Sequence, residues 1–174
     1  MIYTAIDVGY HNLGLVQCDD AMNVLFSKRI NITRYKCHRD CTLYHTNEVA
    51  DLIAHFTREY DDVLSTSDII LMERQPPGGL TNVESLLFYI FRDKIKLISP
   101  NSMHAHFGIG HLDYEQRKER TVSIASKYFE IPGERKHDVA DAFCIAMFHI
   151  EKEKLNFKKK NSLNNLPFEN FRFK

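Results

Sequence analysis

Residues 69–72 read Ile-Ile-Leu-Met, an uninterrupted apolar run between Asp68 and Glu73. A short run with no polar alternation predicts a strand buried on both faces, and such strands occur where helices cover both sides of a sheet. The chain must then fold in layers. The segments IYTAIDVG, LGLVQC and AMNVLFSKRINI are β-rich and joined by short polar turns, which predicts an antiparallel meander of three strands ahead of the buried one. EVADLIAHFTREY places Val49, Leu52, Ile53 and Phe56 at helical spacing, with Asn47 as N-cap. Thr81 and Glu84 have capping-box spacing at the head of TNVESLLFYIFRDK, KIKLIS alternates as a strand, and DYEQRKERTVSIASKYF and KHDVADAFCIAMFHIEKEK predict two closing helices. The expected fold class is α/β: a mixed five-stranded sheet, three antiparallel strands then two parallel, with helices on both faces.

A chain of 174 residues, 44% hydrophobic and 26% charged, can bury a sizeable core as one domain without disulfide or metal staples. No window approaches a membrane span and the first residues lack a signal-peptide pattern, so an intracellular protein is expected, with Cys18, Cys37, Cys41 and Cys144 as thiols. The net charge of +0 gives no sign of a globally basic nucleic-acid binder, but the charge is uneven. Residues 151–174 hold seven Lys/Arg against three Glu, so this end carries +4 and the first 150 residues −4. Within the helix expected after Thr81, six consecutive apolar residues, Leu86 to Phe91, call for a second burial surface, either a covering layer or a second copy of the chain.

Carboxylates stand where core residues are expected. Asp7 lies inside the first strand on the face of Tyr3 and Ala5. Glu73 emerges at the carboxyl end of the buried strand, where ligand sites of such sheets gather. Asp138 and Asp141 are three apart on a helix and share a face that continues through Ile145 and Phe148. Inward acids are costly unless a cation meets them. Four carboxylates from two strands and one helix would supply hard oxygen ligands for Mg²⁺ or Mn²⁺, in one ion or a pair. Singly, each acid has a plainer use: a hydrogen bond near a turn, an ion pair or a helix cap.

The opening AIDVGYHNLGL, the strand-terminal ILMERQ and the late KHDVADAFCIAMFH resemble the RuvC-type branch of the RNase H-like nucleases, most closely the poxvirus Holliday junction resolvases. The likeness runs in order over about residues 1 to 154. The resemblance implies an RNase H-like nuclease domain over residues 1–155, followed by a basic, weakly ordered tail over 156–174. It implies a homodimeric endonuclease that opens four-way DNA junctions by paired symmetric nicks, with two Mg²⁺ or Mn²⁺ ions per site and products ending in 5′-phosphate and 3′-hydroxyl. Its use would be DNA recombination and resolution of replicated viral genome concatemers in the host cytoplasm, without membrane or small-molecule cofactor. The family's acidic set falls on Asp7, Glu73, Asp138 and Asp141, and its lysine on Lys118, whose helical neighbours Val122, Ala125 and Phe129 form an apolar face. Arg74, Gln75, Gly78, Gly79 and Arg117 are expected to contact DNA near the cut, with Gly9 also allowing close backbone approach, and Lys158, Lys159 and Lys160 to contact phosphates from the tail.

Cys37, His38, Cys41 and His45 lie within nine residues and invite zinc, but the spacing is irregular for a finger and shows no second ligand pair, so a loop with scattered thiols is expected. His104, His106 and His111 predict an irregular surface loop, and His137 either touches the site or lies exposed beside Asp138. A nuclease of structured RNA and a noncatalytic junction-binding scaffold are the competing functions. A scaffold has no physical reason to face four carboxylates inward.

Overall fold

A computed structural model of the chain describes residues 1–35, 37 and 39–164. Its strands are β1 (Ile2–Asp7), β2 (Leu13–Asp19), β3 (Val24–Ile30), β4 (Ile69–Glu73) and β5 (Ile95–Ile98). They form one sheet in the order β3-β2-β1-β4-β5. β1 pairs antiparallel with β2, and β2 with β3, while β4 pairs parallel with β1 and with β5. The expected mixed sheet of three antiparallel and two parallel strands is therefore the observed one. The helices are α1 (Val49–Glu59), α2 (Asp61–Ser65), α3 (Thr81–Ile90), α4 (Pro100–His106), α5 (Tyr114–Ala125) and α6 (Lys136–Asn164).

The two-residue period of the strands sorts the core into two layers. Ile6, Leu13, Leu15, Ile70 and Met72 turn to one face and pack with Ile53, Phe56, Val83 and Leu87 of α1 and α3. Tyr3, Ala5, Val16, Cys18 and Leu71 turn to the other and pack under α6, with Val139, Phe143 and Ala146 at its centre. Full burial of a side chain such as Ile70 or Leu87 is worth about 1.5–3 kcal/mol. Asp7, Gly14 and Glu73 continue the α6-facing rows of β1, β2 and β4 to their ends. That places acids, rather than apolar residues, where the sheet meets the start of α6.

Local signals were honoured unevenly. Thr81 is the first helical residue of α3, Leu80 is its N-cap, and no side chain caps it; the Glu84 carboxylate instead accepts a hydrogen bond from the Gln75 backbone N–H. The expected capping box is thus replaced by a tie to the loop after β4. Asn47 does not cap α1 either: Glu48 holds that position, and Thr46 Oγ1 accepts from its N–H at 3.1 Å. The stretch containing His104 and His106 is helix α4, started by Ser99, whose Oγ accepts from Ser102 N–H, and by Pro100. Ser followed by Pro is a helix-start signal that the irregular reading passed over. α6 runs on to Asn164, so the first residues of the expected tail continue the helix; residues 165–174 and His38 lie outside the described residues. Phe88, Tyr89 and Ile90 of α3 stay exposed, while Val83 and Leu87 are buried. Among the described residues, no helix is long and apolar enough to cross a membrane.

Candidate active site

β1 and β4 are adjacent and parallel, with Ile6 beside Met72, so Asp7 and Glu73 leave the sheet side by side at its carboxyl edge. Across the sheet's other pairing Asp7 stands opposite Gly14. A β-carbon on Gly14 would fall 2.0 Å from the Asp138 carbonyl oxygen and 3.2 Å from the Ala142 β-carbon. The missing side chain is what lets α6 lie directly on β2 and bring its first turns to Asp7. α5 packs against α6, and Lys118 on α5 donates to Asp141 on α6.

These elements enclose a cavity of about 210 Å³ lined by Asp7, Glu73, His104, Tyr114, Arg117, Lys118, Thr121 and Asp141, with Met103 and Ile145 as its apolar wall. Burial pushes the Asp7 carboxyl well above the usual carboxylate range, and the negative charges of Asp141 and Glu73 push it further, opposed by Lys118. Burial and then Asp141 raise the Glu73 carboxyl in the same direction. Burial works against the Lys118 ammonium, but the Asp141 charge and hydrogen bond outweigh it and leave its pKa raised. Lys118 is therefore a cation at neutral pH, with its Nζ 5.4 Å from the Tyr114 ring centre.

Asp138 sits one turn before Asp141 and is buried, but it does not line the cavity. Arg135 Nε lies 3.2 Å from its Oδ2 and His137 Nε2 3.3 Å from its Oδ1. Its charge still adds to the upward push on Asp7. His137 is half-buried and meets Asp138 rather than the cavity wall. His104 was missed as a site residue, because helix α4 was missed; it faces the cavity, and burial together with Arg117 lowers its pKa, which keeps the imidazole neutral at pH 7. Thr121, buried on α5 one turn after Lys118, was missed as well.

The other expected DNA contacts fall in two places. Arg117 lines the cavity, with Nη1 held 2.6 Å from the Leu112 carbonyl. Arg74 is exposed just beyond Glu73, its backbone N–H donating to Ile98 O at 2.8 Å, and Gln75 follows it, anchored by Glu84. Gly78 has φ +82° and Gly79 N–H donates to Pro76 O at 2.9 Å, a turn of the kind that needs glycine at its third position. Lys158, Lys159 and Lys160 are different. α6 starts at the acids and passes Lys154, which donates to Asp20 O past the far end of β2. Some twenty helical residues separate Asp138 from Lys158, about 30 Å. The structure does not bring these lysines to the cavity.

The donor set fits a hard divalent cation. Half-buried Asp7 and Glu73 crowd beside buried Asp141 in a cavity where, among the described residues, Lys118 and Arg117 line the wall as cations, and added positive charge relieves that crowding.

Residues 1–153 match the family described as Poxvirus A22 protein. No curated protein sequence matches the chain. Among solved structures, the fowlpox virus Holliday junction resolvase is 13% identical with a TM-score of 0.62, over 87% of this chain and 99% of that one. Thermus thermophilus RuvC in complex with a Holliday junction substrate is 15% identical with a TM-score of 0.60, over 89% of this chain and 96% of that one. The yeast mitochondrial Holliday junction resolvase Ydc2 is 18% identical with a TM-score of 0.61, over 91% and 85%. Identities this low establish a shared RuvC-like, RNase H-type fold.

Proposed function

The chain belongs to the poxvirus A22 protein family, and on that premise we propose that it is a structure-specific endonuclease that resolves four-way DNA junctions. The observation that carries this reading is the convergence of Asp7, Glu73, Asp141 and Lys118 on one cavity at the carboxyl edge of the sheet. Its support in kind is that proteins of the same fold are described as Holliday junction resolvases, one of them from a poxvirus.

Asp7, Glu73 and Asp141 would hold the metal, and Asp138, which stands against Arg135 and His137, would complete the set. A pair of Mg²⁺ or Mn²⁺ ions bound there would supply Lewis-acid activation of a water and charge neutralisation at the scissile phosphate, and the expected products would end in 5′-phosphate and 3′-hydroxyl. The protein's own groups do the rest. Lys118 is held cationic and aimed by Asp141, so its ammonium stabilises charge gathering on the phosphate. Arg117 binds the phosphate next to the one cut, and Arg74, Gln75 and the Gly78-Gly79 turn receive the strand beyond Glu73. Neutral His104 offers a hydrogen bond to a phosphate oxygen or water without adding charge. Met103 and Ile145 exclude water from the back wall. Lys158, Lys159 and Lys160, a helix length away, belong to arm DNA rather than to the cut phosphate.

Paired nicks need two sites on one junction, and exposed Phe88, Tyr89 and Ile90 on α3 supply an apolar face for a symmetric dimer. In a virus that copies its genome as concatemers, such an enzyme acts in recombination and concatemer resolution. The test offers matched DNA and RNA junctions and a linear duplex, each with Mg²⁺ or EDTA. Cleavage confined to the DNA junction with metal supports the reading; cleavage of the RNA junction alone, or binding without cleavage, overturns it.

A further inference from the structure

Away from the cavity, a second group of ligating side chains converges. Cys37, Cys41 and His45 lie in the connection between β3 and α1, and His55 projects from α1 to meet them. Their ligand atoms all lie within 4.8 Å of one another. Cys37 Sγ is 3.6 Å from Cys41 Sγ, 3.4 Å from His55 Nδ1 and 3.0 Å from His45 Nε2. With Zn–S near 2.3 Å and Zn–N near 2.0 Å, a tetrahedral zinc sets its ligand atoms about 3.3–3.8 Å apart, close to the 3.0–3.6 Å at which the other three stand from Cys37 Sγ.

The surroundings of His55 point the same way. Its Nε2 lies 3.0 Å from the Tyr44 carbonyl oxygen, which can only accept, so Nε2 carries the proton and Nδ1 keeps its lone pair on the side of the thiols. A backbone carbonyl on the far nitrogen is the usual support of a metal-bound histidine. The Tyr35 ring stacks on the imidazole with centres 3.8 Å apart and planes 3° from parallel, fixing its orientation. His55 is buried, an unusual place for an imidazole with no task.

We propose that Cys37, Cys41, His45 and His55 bind a structural Zn²⁺ that clips the β3–α1 connection to α1. Two thiolates and two imidazoles are a soft donor set that selects zinc over the Mg²⁺ or Mn²⁺ suited to the carboxylates, so one chain sorts two kinds of metal by ligand chemistry. Zinc displaces the two thiol protons, and its charge balances the two thiolates. Arg58 Nη1, 3.7 Å from Cys41 Sγ, adds a donor to the same sulfur. The clipped connection begins beside the turn after β1, where Ile32 N–H donates to Tyr10 O at 2.9 Å, so the metal steadies the loop next to Asp7. The sequence showed no second ligand pair near the cysteines because His55 comes from a helix, ten residues past His45, and has no finger spacing.

The test is metal analysis of the full chain purified under reducing conditions without chelator, beside Cys41→Ser, His55→Ala and the active-site variant Glu73→Gln. The expected result is about one zinc per chain, kept in Glu73→Gln and lost in the other two. Replacement by Co²⁺ should give the intense thiolate-to-metal absorption and tetrahedral visible bands in the intact protein, a readout that holds even where Cys41→Ser or His55→Ala is insoluble. No zinc together with no such absorption, zinc that leaves with Glu73→Gln and stays in Cys41→Ser, or a mass showing a Cys37–Cys41 disulfide overturns the proposal.

Discussion

Gly14 of β2 lies against the backbone of Asp138 on α6, so closely that a β-carbon there would sit 2.0 Å from the Asp138 carbonyl oxygen. Because Gly14 is also the register partner of Asp7, one missing side chain sets how near the helix acids come to the strand acid. Gly14→Ala must push the start of α6 away from the sheet. It should cost about 1–3 kcal/mol of stability, as overpacking does. It should also cut junction cleavage by far more than junction binding. Thermal melting and a binding titration beside the cleavage assay check both.

The crowded acids give the protein a pH dependence with a definite sign. Asp7 and Glu73 have folded-state pKa values above their unfolded values, so between the two the folded chain binds more protons than the unfolded one. In EDTA, stability should therefore fall as pH rises from that of a free carboxylate through the raised folded values, and recover as pH is lowered again. Asp7→Asn should flatten this slope and raise the melting temperature at neutral pH. Mg²⁺ or Mn²⁺ should do the same for the unmodified chain. Melting curves across pH, with and without metal, read all three.

Lys118 is the cation that Asp141 aims into the cavity. Lys118→Ala should lower the cleavage rate at saturating protein by about 10²–10³, the scale for removing one group that stabilises transition-state charge. Junction affinity should change little, because most of it comes from contacts spread over many phosphates. An equal loss in both would make Lys118 a binding residue only.

Much of this site was legible in the sequence because its acids sit on short periods. A strand's alternation puts Asp7 with Tyr3 and Ala5, and an apolar run ending in Glu73 fixes which edge of the sheet that acid leaves. A three-residue helical spacing linked Asp138 to Asp141, although only Asp141 lines the cavity. What was not legible depends on contacts distant in the chain. Glu84 has capping-box spacing, yet its carboxylate takes the Gln75 N–H nine residues away. His104 reaches the cavity only because α4 folds there, and His55 meets the cysteines only because the connection turns back on α1. The lysines at 158–160 follow the acids in sequence, but an unbroken helix carries them away from the site.

The exposed face of α3 should hold two copies together. Light scattering should report about twice the chain mass of 20.4 kDa. Tyr89→Glu, which puts a charge on a side chain 77% exposed, should shift the protein to monomer without lowering its melting temperature by more than a surface change does. The monomer should nick single strands of a junction but lose paired cutting. A monomer that still cuts in pairs would show that α3 is not the interface.

The most direct measurement maps the cuts on a four-way DNA junction whose strands are labelled one at a time, with Mg²⁺, for the unmodified chain and for Asp7→Asn, Glu73→Gln, Asp138→Asn and Asp141→Asn. The expected result is symmetric cuts on two opposing strands with ends that a ligase seals directly, little cutting of linear duplex, and no cutting by the four variants, which still shift the junction in a binding gel. Cleavage near the unmodified rate by any two of the variants, or cutting of linear duplex as fast as the junction, would contradict a carboxylate site built to resolve junctions.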